Sequence, residues 1–170
     1  MEQKVTSPTT KGLIIALALV VLSLIVQFTG SEQTIWGRWL GIVILCAGVI
    51  WACISYGQQM NGNVTFGNVF AHGFKTSAVV TVLSILFMVI ILLVMPDIKE
   101  KGMEAARAEM EKNPNMTESQ IEQGVAMASK FFYVFLIAGI LFGYLIIGLI
   151  ASLIGAGVTK KTPKTPFENV

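Results

Sequence analysis

The sequence predicts an all-α fold: an integral membrane bundle of four transmembrane helices, with a helical hairpin between the third and the fourth. Three observations carry this. First, 54% of the 170 residues are hydrophobic and only 13% are charged, against roughly 25% charged in a soluble domain. Second, the charges fall in short clusters separated by uncharged runs: 17 residues at Gly12–Phe28, 21 at Trp39–Gln59, 19 at Ser77–Met95 and 29 at Phe131–Thr159. An apolar run of about 18 residues is long enough to cross a bilayer as a helix. Third, the only sizeable hydrophilic stretch, residues 97–130, is rich in helix formers.

Taken in order, residues 1–11 ("MEQKVTSPTTK") read as a flexible polar tail. The first span, about 12–28, exceeds the roughly 7–15 apolar residues of a signal-peptide core, so it is expected to stay uncleaved. "TGSEQT" turns the chain into the second span, about 37–57. Trp36 and Trp39 open that span three residues apart, at the headgroup level that tryptophan favours, and Tyr56 marks the opposite interface. "QQMNGNV" reads as a turn through Asn61-Gly62, and Thr65 is positioned to cap the third span, about 66–95, which Pro96 ends. Phe66, Phe70 and Phe74, with Val69 between them, form an apolar stripe. Asn68, His72 and Lys75 are then expected on a water-facing side.

Residues 97–130 read as an extramembrane hairpin. "DIKEKGMEAARAEMEK" forms its first helix and "NPN" breaks it. "TESQ" offers a capping box for a second helix expected to run unbroken into the fourth span, about 131–158. Its alternating charges suit a solvated face, while Met103, Met110, Met116 and Met127 offer an adaptable partner surface. The 29-residue fourth run would extend about 43 Å, beyond the roughly 30 Å hydrocarbon core, so part must tilt or protrude. Residues 160–170 are a basic flexible tail; the membrane domain as a whole is 12–159.

Small residues recur on two helices, mostly at spacing four. Gly139 and Gly143 form a GxxxG pair, continued along the fourth helix by Gly148, Ser152 and Ala156; Gly37, Gly41, Gly48, Ala52 and Ser55 do the same on the second helix. Such lines let membrane helices approach closely, either within one chain or between two copies. Gly41, Gly48, Ala52, Gly139, Gly143, Gly148 and Ser152 are therefore the candidate helix-packing residues.

No catalytic, cofactor or metal site is legible. Cys46 and Cys53 lie seven apart on one helix, about 10.5 Å of rise, outside disulfide reach. There is no metal-ligand cluster, phosphate loop or nucleophile–base pair. Polar atoms in the spans are Ser23, Gln27, Thr81, Ser84, Tyr144 and Ser152, ordinary partners for hydrogen bonds between helices. His72, the only histidine, reads as an interfacial residue, with proton handling as the alternative. A net charge of +2 without a basic groove gives no reason to expect nucleic acid.

Four spans put both tails on one side. Lysines and arginines then divide six to six. The tail-side lysines face only Glu2 and Glu168, whereas eight acids lie opposite, so both termini are expected in the cytoplasm.

The segment "GNVTFGNVFAHGF" before the third span, "MPDIKEKG" with "TESQIEQ" after it, and the ending "GLIASLIGAGVTKK" resemble the small bacterial membrane proteins grouped as domain of unknown function 4199. The likeness spans roughly residues 10–161. It implies a bacterial inner-membrane location and supplies no functional residue. The expected role is non-enzymatic: a scaffold, accessory subunit or modulator of a membrane complex, without cofactor. The alternative is an oligomeric small transporter or channel subunit. The expected partners are the lipid bilayer and either further copies of the chain or a membrane complex; the residues name no small-molecule ligand.

Overall fold

The computed structural model describes residues 5–29 and 35–162, with the backbone alone at 35–38. The expected turn at residues 29–34 and the distal C-terminal tail fall largely outside the described residues, as do the side chains of Trp36 and Arg38. The described chain is all helical: α1 (Pro8–Thr29), α2 (Ile35–Gln59), α3 (Phe66–Val94), α4 (Asp97–Glu111), α5 (Glu118–Lys130) and α6 (Phe132–Val158). Pro8–Thr29, Trp39–Gln59, Phe66–Val94 and Phe132–Val158 are each long and apolar enough to cross a membrane.

Helix α1 starts earlier than the uncharged run does. Ser7 caps it, its Oγ accepting from the Thr10 amide at 3.1 Å, and Pro8 takes the first helical position, where its missing N–H costs nothing. Residues 8–11 are therefore helix rather than tail, and Lys11 lies inside the first span. Helix α2 ends in a Schellman turn: the Gly62 amide donates to Gly57 O at 2.9 Å and the Asn61 amide to Gln58 O at 3.0 Å. Asn61 and Gly62 take φ of 52° and 76°, left-handed conformations that asparagine and glycine tolerate best. Thr65 caps α3, accepting from the Asn68 amide at 3.2 Å.

The contacts divide the chain into two compact units. One joins the residues up to Ser84 with those from Leu141 onward; the other is Ile85–Ile140. In the first unit the helices meet through small residues. A Cβ on Gly12 would stand 2.7 Å from Val79 Cγ1, and one on Gly48 would stand 2.9 Å from Ile15 Cγ1. A Cβ on Gly148 would collide with Ser77, and one on Gly73 with Cys53 and Ser152. Such approach lets backbones gain van der Waals contact where lipid removes any hydrophobic drive between helices. Around these contacts Ile15, Ala16, Leu19, Leu45, Val49, Val80 and Ala151 form the apolar core.

At one end of this unit the chain is stitched together by polar bonds. The Thr6 amide donates to Gln59 Oε1 at 2.8 Å, and Gln59 Nε2 returns a bond to Thr6 Oγ1 at 3.1 Å. The Thr162 amide donates to Gly62 O at 2.8 Å. Both ends of the described chain thus meet the α2–α3 turn.

The second unit holds the hairpin. The "NPN" break is an asparagine turn, with the Asn115 amide on Asn113 Oδ1 at 3.1 Å. Thr117 and Gln120 form the expected capping box at the start of α5. Arg107 joins the two helices, donating from Nε to Glu111 and from Nη2 to Glu118, each at 2.9 Å. The Glu111 hydrogen bond, then the Glu111 and Glu118 charges, hold Arg107 above its ordinary proton affinity. The expected unbroken run from α5 into α6 is corrected: Phe131, at φ −105° and ψ 14°, interrupts it for one residue.

Candidate functional site

The inward side of α3 is Val69, His72, Gly73, Thr76, Ser77, Val80 and Thr81. Asn68 and Lys75 are exposed as expected, but His72, expected on the same water-facing side, is buried, and Val69 parts from the phenylalanine stripe. His72 is only 6% exposed, while Phe66 is 46% exposed. Phe70 and Phe74 are half-buried and stack on each other with centroids 6.0 Å apart. The reason is the solvent. Against lipid, aromatic rings can face outward at no penalty, and small or polar side chains that pack and hydrogen-bond go inward.

Most inward hydroxyls are satisfied by their own helix. Thr76 Oγ1 donates to His72 O at 2.9 Å, Thr81 Oγ1 to Ser77 O at 2.9 Å, and Ser152 Oγ to Gly148 O at 2.6 Å. Ser77 Oγ instead reaches Tyr144 O on α6 at 3.4 Å, and Lys11 and His72 are not settled within their own helices either. Lys11 is 1% exposed, and its ammonium donates to Ala52 O at 3.2 Å. His72 Nε2 is buried with no hydrogen-bond partner. Tyr56 links them: its ring stacks on the imidazole at 4.2 Å and 14°, and Lys11 Nζ stands 6.0 Å from its centroid.

Lys11, Tyr56 and His72 therefore form a polar cluster contributed by α1, α2 and α3. His72 lies six residues into α3, about 9 Å from its start. Cys53 belongs to the same layer, its thiol on Val69 O at 3.7 Å. No carboxylate occurs among the described residues of this unit. The cluster can hold one buried positive charge, softened by a carbonyl dipole and an aromatic face. The close glycine contacts of Gly73 and Gly155 with Cys53 fill the space around it. Among the described residues no three His, Cys, Asp or Glu side chains gather where a metal could sit.

The candidate packing residues separate into two groups. Gly48, Ala52, Gly148 and Ser152 lie in the packed interior or against it. A Cβ on Gly41, Gly139 or Gly143 would meet nothing within 4 Å. Cys46 and Cys53 are both free thiols. In the second unit, Lys99, Glu100, Met103, Glu104 and Ser129 line an open groove of about 460 Å³.

Reading by uncharged runs missed Lys11, because a run ends at a charge by definition. The signal was the Ser7-Pro8 pair, a cap followed by a first-turn proline, which starts the helix before the lysine.

Neither a curated protein nor a solved structure matches the chain. A family model described as protein of unknown function DUF4199 matches residues 10–161. That match covers most of the chain, and the protein belongs to this family.

Proposed function

We propose that the chain is a non-enzymatic accessory subunit or modulator of a membrane complex, seated in a bacterial inner membrane with both termini in the cytoplasm. The observation that carries this reading is the open face of α6. A Cβ on Gly139 or Gly143 would meet nothing within 4 Å among the described residues, on a helix whose Phe142 is 63% exposed. A small-residue pair that packs against nothing among the described residues suits the close approach of another membrane helix. The methionines and paired charges of the hairpin add an adaptable surface outside the span. The test is purification from native membrane in mild detergent, with mass analysis of what travels with the chain. Gly143→Leu is expected to cut co-isolation at least tenfold without changing helicity. A wild-type chain that travels alone sinks the reading.

A second reading, an oligomeric small transporter or channel subunit, draws on the buried Lys11 and His72, since ionisable groups within spans often serve ion or proton movement. Reconstituted vesicles carrying a pH gradient separate the two. Protein-dependent dissipation that Lys11→Met or His72→Phe abolishes favours transport, with His72 handling protons. Gradients that hold at the protein-free rate favour the accessory role.

A further inference from the structure

The charges of the two units differ in kind. Among the described residues of the first unit there are lysines and no carboxylate; Ile85–Ile140 carries seven acids against five bases. Three of the first unit's described lysines lie toward the end where the α2–α3 turn meets the ends of the described chain. Lys160 is exposed just after α6. Lys161 is held there, donating to Ala156 O at 2.6 Å and Thr159 O at 3.3 Å, with its ammonium 5.6 Å from the Phe66 ring centroid. Lys75 is exposed on α3.

The depth of Lys75 follows from the helix it sits on. The uncharged run after it, Ser77–Met95, is 19 residues, about 29 Å as a helix and a match to the hydrocarbon core. Taking that run as the hydrocarbon segment puts Lys75 at its edge, and the nine-residue step from Phe66 to Lys75 rises about 13.5 Å toward the turn end. Helical side chains lean toward the N-terminus of their helix, and for α3 that is the turn end. That lean carries the Lys75 stem toward the turn end, the direction in which a lysine near a span's edge reaches headgroups.

We propose that this end of the bundle is a docking surface for anionic phospholipid headgroups, formed by Lys75, Lys160 and Lys161 with Phe66 anchoring the layer. The partner is a leaflet rich in phosphatidylglycerol-type lipid. Charge complementarity selects it: no carboxylate stands beside these lysines among the described residues of their unit, and each such lysine favours an anionic surface by about fivefold. Lys11, sealed inside the bundle, takes no part.

The test uses the full chain in nanodiscs of equal phosphatidylglycerol and phosphatidylcholine, with the lipids retained on extraction counted by mass spectrometry. The wild type is expected to retain the anionic lipid several-fold over the zwitterionic one. Lys75→Gln with Lys160→Gln removes two such contributions and is expected to lower that ratio several-fold, to near parity. Lys101→Gln with Lys112→Gln removes the same charge from the hairpin and is expected to change it less than twofold. A wash at about 1 M salt, where charges are screened beyond about 3 Å, should erase the wild-type preference. Lys75→Arg with Lys160→Arg should keep it, which decides the matter if the glutamine pair fails to fold. Equal retention of both lipids by the wild type overturns the proposal. So does equal loss from both glutamine pairs, or capture of an acidic polypeptide at this end in place of lipid.

Discussion

The two units solve the same problem, satisfying polar groups, in opposite ways. In the first, the hydroxyls of Thr76, Thr81, Ser152 and Thr159 bend back to carbonyls of their own helices. In the second, Arg107, Glu111 and Glu118 pair through side chains that remain about half or more exposed. The difference follows from what each sequence can expect outside itself. A helix facing lipid must close its polar accounts internally. A helix facing water can leave ends open and spend charge on steering contacts worth little individually. Stability in the first unit should then depend on shape, and in the second on local caps and charges.

The largest test of this contrast is steric. Gly148→Leu places a side chain where Ser77 already sits. It is expected to destabilise the bundle by about 1–3 kcal/mol or more, because a packed interior cannot absorb the volume. Gly143→Leu, on the same helix with open space around it, should leave thermal unfolding in detergent unchanged. Equal losses from both would erase the distinction.

Lys11→Met comes next and has the opposite sign. The ammonium is buried against one carbonyl and a ring, without a carboxylate among the described residues of its unit. Replacing a buried ion by an apolar side chain of similar length is often stabilising, here by about 1 kcal/mol or more. A lower melting temperature would mean that the lysine is structurally required.

In the hairpin, Thr117→Ala removes a cap worth about 1 kcal/mol. The loss should be local: faster hydrogen exchange at the Gln120 amide, which the Thr117 hydroxyl accepts at 3.4 Å. Bundle unfolding is expected to stay put. The smallest effect is Arg107→Gln. Its two ion pairs are exposed, so the change in thermal unfolding should be barely measurable and vanish at high salt.

The four spans, the capping box at Thr117 and the turn at Asn61-Gly62 were legible because each rests on local chemistry: run length, a side chain three residues from its amide, a residue pair that tolerates left-handed backbone. The facing of α3 was not. Phe66, Phe70 and Phe74 mark an apolar side equally well in water or lipid, and only the surrounding helices decide which way it turns. The burial of His72 depends on Gly73 admitting Cys53 and Ser152 from two other helices, contacts separated from it by tens of residues. The interruption at Phe131 was also hidden, since no glycine or proline stands near it to mark a break.

The seating of α6 against α3 has a consequence for how the protein is made. Ser77, 0% exposed in the finished bundle, donates to Tyr144 O at 3.4 Å, and Gly73 closes on Ser152. These partners are synthesised late: 64 residues separate Val94, the end of α3, from Val158, the end of α6. At about 5–20 residues per second, α3 waits about 3–13 s after leaving the ribosome for the helix that covers its polar side. During that interval His72, Thr76 and Ser77 belong to an incomplete three-helix intermediate. The protein is therefore expected to be most vulnerable to membrane proteolysis as a nascent chain, and a truncation before α6 should be cleared quickly even though every span it retains is apolar enough to insert.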